Sequence, residues 1–314
     1  PEVLGMLAAI GIEKGKPFAP DARMKKILSD AAAWGTAAQR TILFRNRNEN
    51  VVIWPGSKSW EIGFAGGSHE FLKDGISLIN ERTRGIVVIN PNNPTGAVYA
   101  RDLLQDIASI AEEKQLIVFA DEIYDQMLYD GAEHVPMATL VHDTLCATYN
   151  GLSKIYRACG YRVGWIAFSG QRDNAAEYLH AVELLASLRL CANVPGQWAV
   201  QTALGGYQSI RELTKPDGRL YQARQIIIDG VEQSRLLSLV EPQGAMYAFP
   251  AVDTTMFDHF DDQKFALELL EKKHILIAPG SSFNVPYTNH FRLTTLPTER
   301  KMQWVFERME EVLE

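Results

Sequence analysis

The middle of the chain alternates short, continuous apolar runs with stretches whose apolar residues recur every three to four positions. The runs are GIVVIN (85–90), LIVFAD (116–121), LCATYN (145–150) and GWIAF (164–168), rich in β-branched and aromatic residues. Runs of this length predict strands buried in a sheet. Between the first two, ARDLLQDIASIAEEKQ places Leu103, Leu104, Ile107 and Ile110 on one helical face. Asp102 and Asp106 sit near its start and Lys114 at its end, the charge order a helix dipole favours. Strand, helix and strand at this spacing predict parallel βαβ units and an α/β sheet.

Helical patterns continue over 173–211 and 217–236, the second opened by Pro216 and Asp217. The pattern then changes. GAMYAFP (244–250), a helix over about 262–273, HILIAPG (274–280), HFRLTTLP (290–297) and a terminal amphipathic helix predict a compact α+β unit. The expected organisation is a large domain over 81–225 and a small one over 226–314, divided inside the long helix. Residues 1–80 read differently. Positions 20–40 suggest an Ala-rich amphipathic helix, with Ile27, Leu28, Ala31, Trp34 and Ala38 on one side. VVIWPGSKSWEIGFAGGSHEF is aromatic and glycine-rich, more like β-hairpins than βαβ.

Composition narrows the class. With 314 residues, 46% hydrophobic and 22% charged, the chain fits one large or two ordinary globular domains. A net charge of −7 disfavours gripping nucleic acid or an anionic membrane, yet leaves room for a local basic pocket. No apolar run approaches the roughly 20 residues that cross a bilayer. The opening PEVLGMLAAIGIEKGKPF has no basic stretch before its apolar one and makes a poor signal peptide. Cys146, Cys159 and Cys191 form neither a disulfide framework nor a metal-ligand spacing, which fits free thiols in the cytoplasm and no metal site.

Four segments carry candidate chemistry. INPNNPTGAVY (89–99) follows a predicted strand, and its prolines and asparagines make a tight turn whose amides can point into a cleft. It also reads as a plain strand-ending turn. In VFADEIYDQMLYDG (118–131), Asp121 ends a buried strand, where α/β sheets place ligand-binding groups. A carboxylate there can pair with a protonated pyridine nitrogen or simply cap the next helix. Tyr124, three residues on, could donate to a phenolate-like oxygen. In TYNGLSKIYRACGYRVGW (148–165), Lys154 follows a Gly-Leu-Ser turn and Arg162 comes eight residues later. The pair suits a nucleophilic amine and a bidentate phosphate contact, or a solvated lysine and arginine. Arg292, inside the apolar HFRLTTLP strand, needs a carboxylate from the protein or from a substrate.

NNPTG, DEIY, GLSK with its arginine, and a C-terminal FR strand stand in an order that resembles the fold-type I pyridoxal-phosphate aminotransferases. RTRGIVVINPNNPTGAVY, FADEIYD, LCANVP and QTALGGYQSI are similar to the bacterial alanine (glutamate–pyruvate) branch, and the resemblance covers about 85–314. It implies a large domain with a mainly parallel sheet and helices on both faces, plus a small α+β C-terminal domain. It also implies pyridoxal 5'-phosphate, amino-acid and 2-oxo-acid substrates, and a homodimer. Carried over, Lys154 is the Schiff-base lysine that moves the substrate proton, and Asp121 pairs with the pyridine nitrogen. Tyr124 and Asn93 bond the 3-hydroxyl, Ser153 and Arg162 hold the phosphate, and Arg292 clamps the substrate carboxylate with Asn93 nearby.

Upstream of NNPTG, the glycine turn for the phosphate and the aromatic residue that stacks on the cofactor have no counterpart in 1–84. Those residues resemble an unrelated, uncharacterised family of bacterial proteins, so the chain reads as a chimera with the family's N-terminal part missing or replaced. The alternatives to an alanine aminotransferase are a catalytically impaired chimera and another enzyme of the fold, such as a carbon–sulfur lyase or a decarboxylase.

Overall fold

The computed structural model describes residues 79–313 apart from 82, 258 and 284–287, together with the backbone of one strand, Asn50–Trp54. The amphipathic helix expected over 20–40, the expected loss of the phosphate turn and, apart from Asn50–Trp54, the N-terminal segment read as foreign lie outside the described residues.

Five strands form the central sheet, in the order β1 (Asn50–Trp54), β2 (Thr83–Ile89), β3 (Ile117–Asp121), β4 (Leu145–Gly151) and β5 (Gly164–Gly170). The first four run parallel and β5 is antiparallel to β4. Because β1 is parallel to β2, the hairpin expected from residue 51 onward does not form at this strand. The connection of 55–82 is long enough for the crossover that a parallel pair requires.

Helix α1 (Arg101–Glu113) buries Leu103, Leu104, Ile107, Ala108 and Ala111 against the sheet, while Ile110 packs at the margin. Val88, Val118, Ala120 and Cys146 complete that core from the strands. Helices α2 (Ala176–Arg189), α3 (Val194–Gly205) and α4 (Ile210–Leu213) follow, then the long α5 (Arg219–Gln233). The remainder is built on two small sheets, β6 (Leu237–Ser238) with β8 (Ala251–Val252), and β7 (Tyr247–Ala248) with β10 (Phe291–Thr294) and β9 (Ala278–Pro279). Helices α6 (Asp262–Lys273) and α7 (Glu299–Leu313) cover them. Phe265, Leu269, Phe291, Met302, Phe306 and Met309 form their common core with Ile227 and Val231 of α5. The first turn of α5 points elsewhere, placing Leu220 in a third cluster with Tyr124, Met127, Tyr129 and Tyr247.

Three of the sequence motifs therefore begin at carboxyl ends of neighbouring parallel strands, where such sheets hold ligands. After β2, Asn90–Tyr99 is bound to itself. Ala97 O accepts from Asn92 N at 2.8 Å, and Asn90 Oδ1 from Tyr99 N at 3.0 Å. Gly96 has φ +74, and a Cβ there would stand 2.4 Å from Pro242 Cβ and 2.8 Å from the carbonyl oxygens of Gly244 and Tyr247. Only glycine satisfies both the backbone angle and the contact. The Gly96 carbonyl accepts from Gln243 N at 2.8 Å and Gly244 N at 2.7 Å, clamping the loop to the chain that leads into β7.

His290 makes the small sheets sensitive to acid. It stacks on Phe249 with centroids 5.1 Å apart, its Nδ1 lies 2.9 Å from Asn289 Oδ1, and burial lowers its pKa from 6.5 to about 4 despite the nearby Asp262. Between those values the unfolded chain binds the extra proton, so stability is full above the ordinary value and falls as pH drops through the folded one. The expected loss is on the order of 2 kcal/mol after allowance for partial screening by solvent. Urea unfolding at neutral and mildly acidic pH should show it, and His290→Gln should remove most of the difference.

Candidate active site

Asn93, Asp121, Tyr124, Ser153, Lys154, Arg162 and Arg292 all line one open cleft of about 600 Å³. Each arrives on a different support. Asn93 sits in the clamped loop after β2, Asp121 is the last residue of β3, and Ser153 and Lys154 lie in the turn after β4. Arg162 closes a short 3-10 turn in the left-handed region, where its Nη1 donates to Cys159 O at 2.8 Å. Arg292 reaches in from β10.

The turn after β3 is fixed from below. Glu122 Oε1 accepts from Met137 N at 2.9 Å, and Oε2 lies 3.4 Å from His134 Nε2, with both side chains buried. Asn150 Nδ2 donates to Glu122 O at 3.1 Å and to Asp125 Oδ2 at 3.2 Å. Asp121 and Tyr124 thus stand on a braced turn, with Asp121 Oδ1 accepting from Ile123 N at 3.2 Å. Burial raises the pKa of Asp121; the Ile123 N–H and the Lys154 ammonium oppose this, and Glu122 adds to it. Such a carboxyl gains from a cationic partner. Lys154 Nζ lies 5.9 Å from the centroid of the Tyr124 ring. Burial, reinforced by Tyr247, pushes the Tyr124 pKa far up, so this phenol is a neutral hydrogen-bond donor.

Arg292 has no carboxylate partner among the described residues, and so the internal salt bridge that its apolar strand allowed is absent there. Its Nη1 donates to Asn93 Oδ1 at 2.7 Å. The guanidinium is flanked by the rings of Tyr247 at 4.6 Å and Phe283 at 4.8 Å. Its Nε is buried without a hydrogen-bond partner. A cation held in this way has donors to spare for an anion.

The cleft has further walls that sequence reasoning passed over: Tyr149, Asn150 and Tyr247. Tyr149 and Asn150 close a strand whose ending could have been read as a lining. Tyr247 sits in an apolar run and has no local signal of its own. Among the described residues no three or more His, Cys, Asp or Glu side chains are grouped to hold a metal, and no helix is long and apolar enough to cross a membrane. All three cysteines are free.

Residues 65–309 match the family described as Aminotransferase class I and II. The match opens some twenty residues ahead of the stretch whose motifs carry the resemblance. The chain is 51% identical over 226 residues to the glutamate-pyruvate aminotransferase AlaA of Escherichia coli K12, covering 72% of this chain and 56% of that one. It is 47% identical over 233 residues to the alanine aminotransferase of Mycobacterium tuberculosis H37Rv, with 74% and 54% covered. The chain therefore spans little more than half the length of these relatives. Among solved structures, an aminotransferase from E. coli superposes with a TM-score of 0.78 at 42% identity, over 86% of this chain and 71% of that one. An alanine aminotransferase from Pyrococcus furiosus gives 0.75 at 29%, over 99% and 87%.

Proposed function

Because this chain belongs to the class I and II aminotransferases, we propose that it moves an amino group between alanine or glutamate and pyruvate or 2-oxoglutarate, using pyridoxal 5'-phosphate. The observation that carries this reading is the convergence of seven side chains, from three strand ends, a turn and β10, on one cleft. Their chemistry fits the cofactor. The buried Asp121 carboxyl suits a protonated pyridine nitrogen, the neutral Tyr124 and Asn93 suit a 3-hydroxyl, and Ser153 with Arg162 suits a phosphate. When bound, the cofactor supplies an aldehyde that holds the amino group and a ring that accepts electron density from the substrate Cα.

The protein's own groups do the rest. Arg292 takes the substrate carboxylate with the donors it does not use on Asn93. Asn93 fixes the guanidinium from its other side. Lys154 is the amine that carries the proton at the substrate Cα, and Asp121 keeps a positive charge on the ring nitrogen. Holding the Cα–H bond in one orientation is the main work of the Arg292 clamp, since orientation alone lowers such barriers by several kcal/mol.

The names of the relatives favour transamination over carbon–sulfur cleavage or decarboxylation. We take the chain to divide into a large and a small domain within α5, near residue 225, because α5 sends Leu220 to the cluster beneath the cleft and Ile227 to the small-sheet core. We also take it to work as a homodimer in the cytoplasm. Trp198, Leu190 and Tyr207 are at least 75% exposed, large side chains that a partner subunit would cover. The test is purified protein with cofactor, L-alanine and 2-oxoglutarate, with pyruvate read through lactate dehydrogenase. Steady pyruvate release is expected. Cofactor binding with no amino transfer to any 2-oxo acid would overturn the reading.

A further inference from the structure

Tyr247 touches two groups that the proposed function uses for different purposes. In the β7–β10 pairing it stands opposite Thr294, two residues beyond Arg292, so the two side chains are diagonal neighbours on one face. Its ring lies 4.6 Å from the Arg292 guanidinium, with Phe283 at 4.8 Å. Its hydroxyl lies 2.8 Å from the hydroxyl of Tyr124, and the two rings meet edge to face with centroids 5.6 Å apart. Both tyrosines are at most 5% exposed, so neither hydroxyl has water as an easy alternative.

We propose that Tyr247 is a positioning residue with two separable roles: its ring holds Arg292 for a carboxylate, and its hydroxyl directs the Tyr124 hydroxyl toward the cofactor. This rests on the function proposed above. The ring role follows from planarity. A guanidinium recognises a carboxylate edge-on through two parallel N–H groups, and a ring against its face limits the tilt that would spoil that geometry. A desolvated ring also attracts the cation. The hydroxyl role follows from proton counting. Tyr124 has one proton and cannot donate it to Tyr247 and to a cofactor oxygen together. With Tyr247 as donor to Tyr124 Oη, the Tyr124 proton is free for the cleft, and the chain of two hydroxyls strengthens that donation.

Tyr247→Phe removes the hydroxyl and keeps the ring, whereas Tyr247→Leu removes both. Phe283→Leu removes the other ring without touching β7, and it carries the ring role if the leucine variant at 247 fails to fold. Two readouts separate the roles. The first is the affinity of the cofactor-free protein for 2-oxoglutarate by calorimetry. It should be unchanged in Tyr247→Phe, weaker by about tenfold in Tyr247→Leu and by a few-fold in Phe283→Leu. The second is the pH midpoint of the bound cofactor's visible absorbance. Without Tyr247 donating to its oxygen, Tyr124 is the weaker donor to a phenolate-like oxygen, whose proton affinity then rises, so Tyr247→Phe should move the midpoint up by about half a pH unit. Phe283→Leu should leave it in place. In turnover, KM should rise in the leucine variants and kcat fall in Tyr247→Phe.

Equal affinities in wild type, Tyr247→Leu and Phe283→Leu would overturn the ring role. An unmoved midpoint in Tyr247→Phe would overturn the hydroxyl role. A wild-type spectrum identical to that of Lys154→Ala would instead overturn the proposed cofactor and the hydroxyl role with it, while the calorimetry still decides the ring role.

Discussion

Replacing Lys154 with alanine is expected to lower alanine–2-oxoglutarate turnover by about ten-thousand-fold or more, with the fold intact. One amine supplies both covalent attachment and proton transfer at the Cα, and proton transfer alone is commonly worth about 10²–10⁴-fold. The turn that carries it does not depend on the side chain. Leu152 N donates to Val163 O at 3.0 Å, Arg157 N to Lys154 O at 2.9 Å, and Ala158 N to Leu152 O at 2.9 Å. Lys154 itself is half-buried and its ammonium is at the cleft. Thermal melting should therefore match the wild type, and turnover within tenfold of wild type would defeat the assignment of this lysine.

The largest expected effect on stability belongs to Arg224. It is 2% exposed, its Nη2 lies 2.8 Å from Asp130 Oδ2, and its Nε donates to Pro242 O at 2.6 Å. The guanidinium also lies beside the rings of Tyr129 at 5.2 Å and Tyr221 at 5.6 Å, which meet each other edge to face, and Tyr221 Oη donates to Asp130 Oδ1 at 2.9 Å. Arg224→Leu leaves the Pro242 carbonyl and two carboxylates, Asp130 and the more exposed Glu241 at 3.5 Å, without this donor. Removing one member of a buried pair costs about 3–5 kcal/mol. Because Asp130 is itself 47% exposed, the lower end, about 3 kcal/mol, is expected in urea unfolding. Arg224→Lys should recover part of the loss, since it restores the charge but lacks the fixed planar fork that serves the carbonyl and Asp130 together. A loss below about 1 kcal/mol in the leucine variant would mean that the edge-to-face pair of Tyr129 and Tyr221 holds this junction without the cation.

Strands β2 to β5 were legible as continuous apolar runs, and helices α1, α5, α6 and α7 because each repeats one period long enough to outweigh local noise, as Leu103, Leu104 and Ile107 do on α1. The seven cleft residues were legible from the motif order that resembles the aminotransferases, and six of them, all but Arg292 on β10, end or follow β2, β3 or β4. A parallel sheet gathers the carboxyl ends of its strands on one side, so motifs that follow such strands in sequence meet in space. What escaped depends on contacts across long separations. Tyr247 meets Tyr124 from 123 residues away, and nothing in GAMYAFP announces it. The direction of β1 escaped because a crossover and a hairpin begin with the same apolar residues. The two-residue strands of the small sheets, such as β7 and β9, are too short for any alternation to register.

The clamp at Gly96 also decides what can move. For any rigid rotation about a pivot, displacement grows with distance from it. Asn93 is three residues from the clamp, and Arg292 is bonded to Asn93 at 2.7 Å, so the two hands that would grip a carboxylate ride on the fulcrum itself. A rocking of the small sheets that carries α7 through several ångströms would leave this grip almost still. In lever terms, a rotation that pivoted at Gly96 would have its fingers at the hinge and its long arm outside. A load on the outer helix would then be geared down before it reached the substrate.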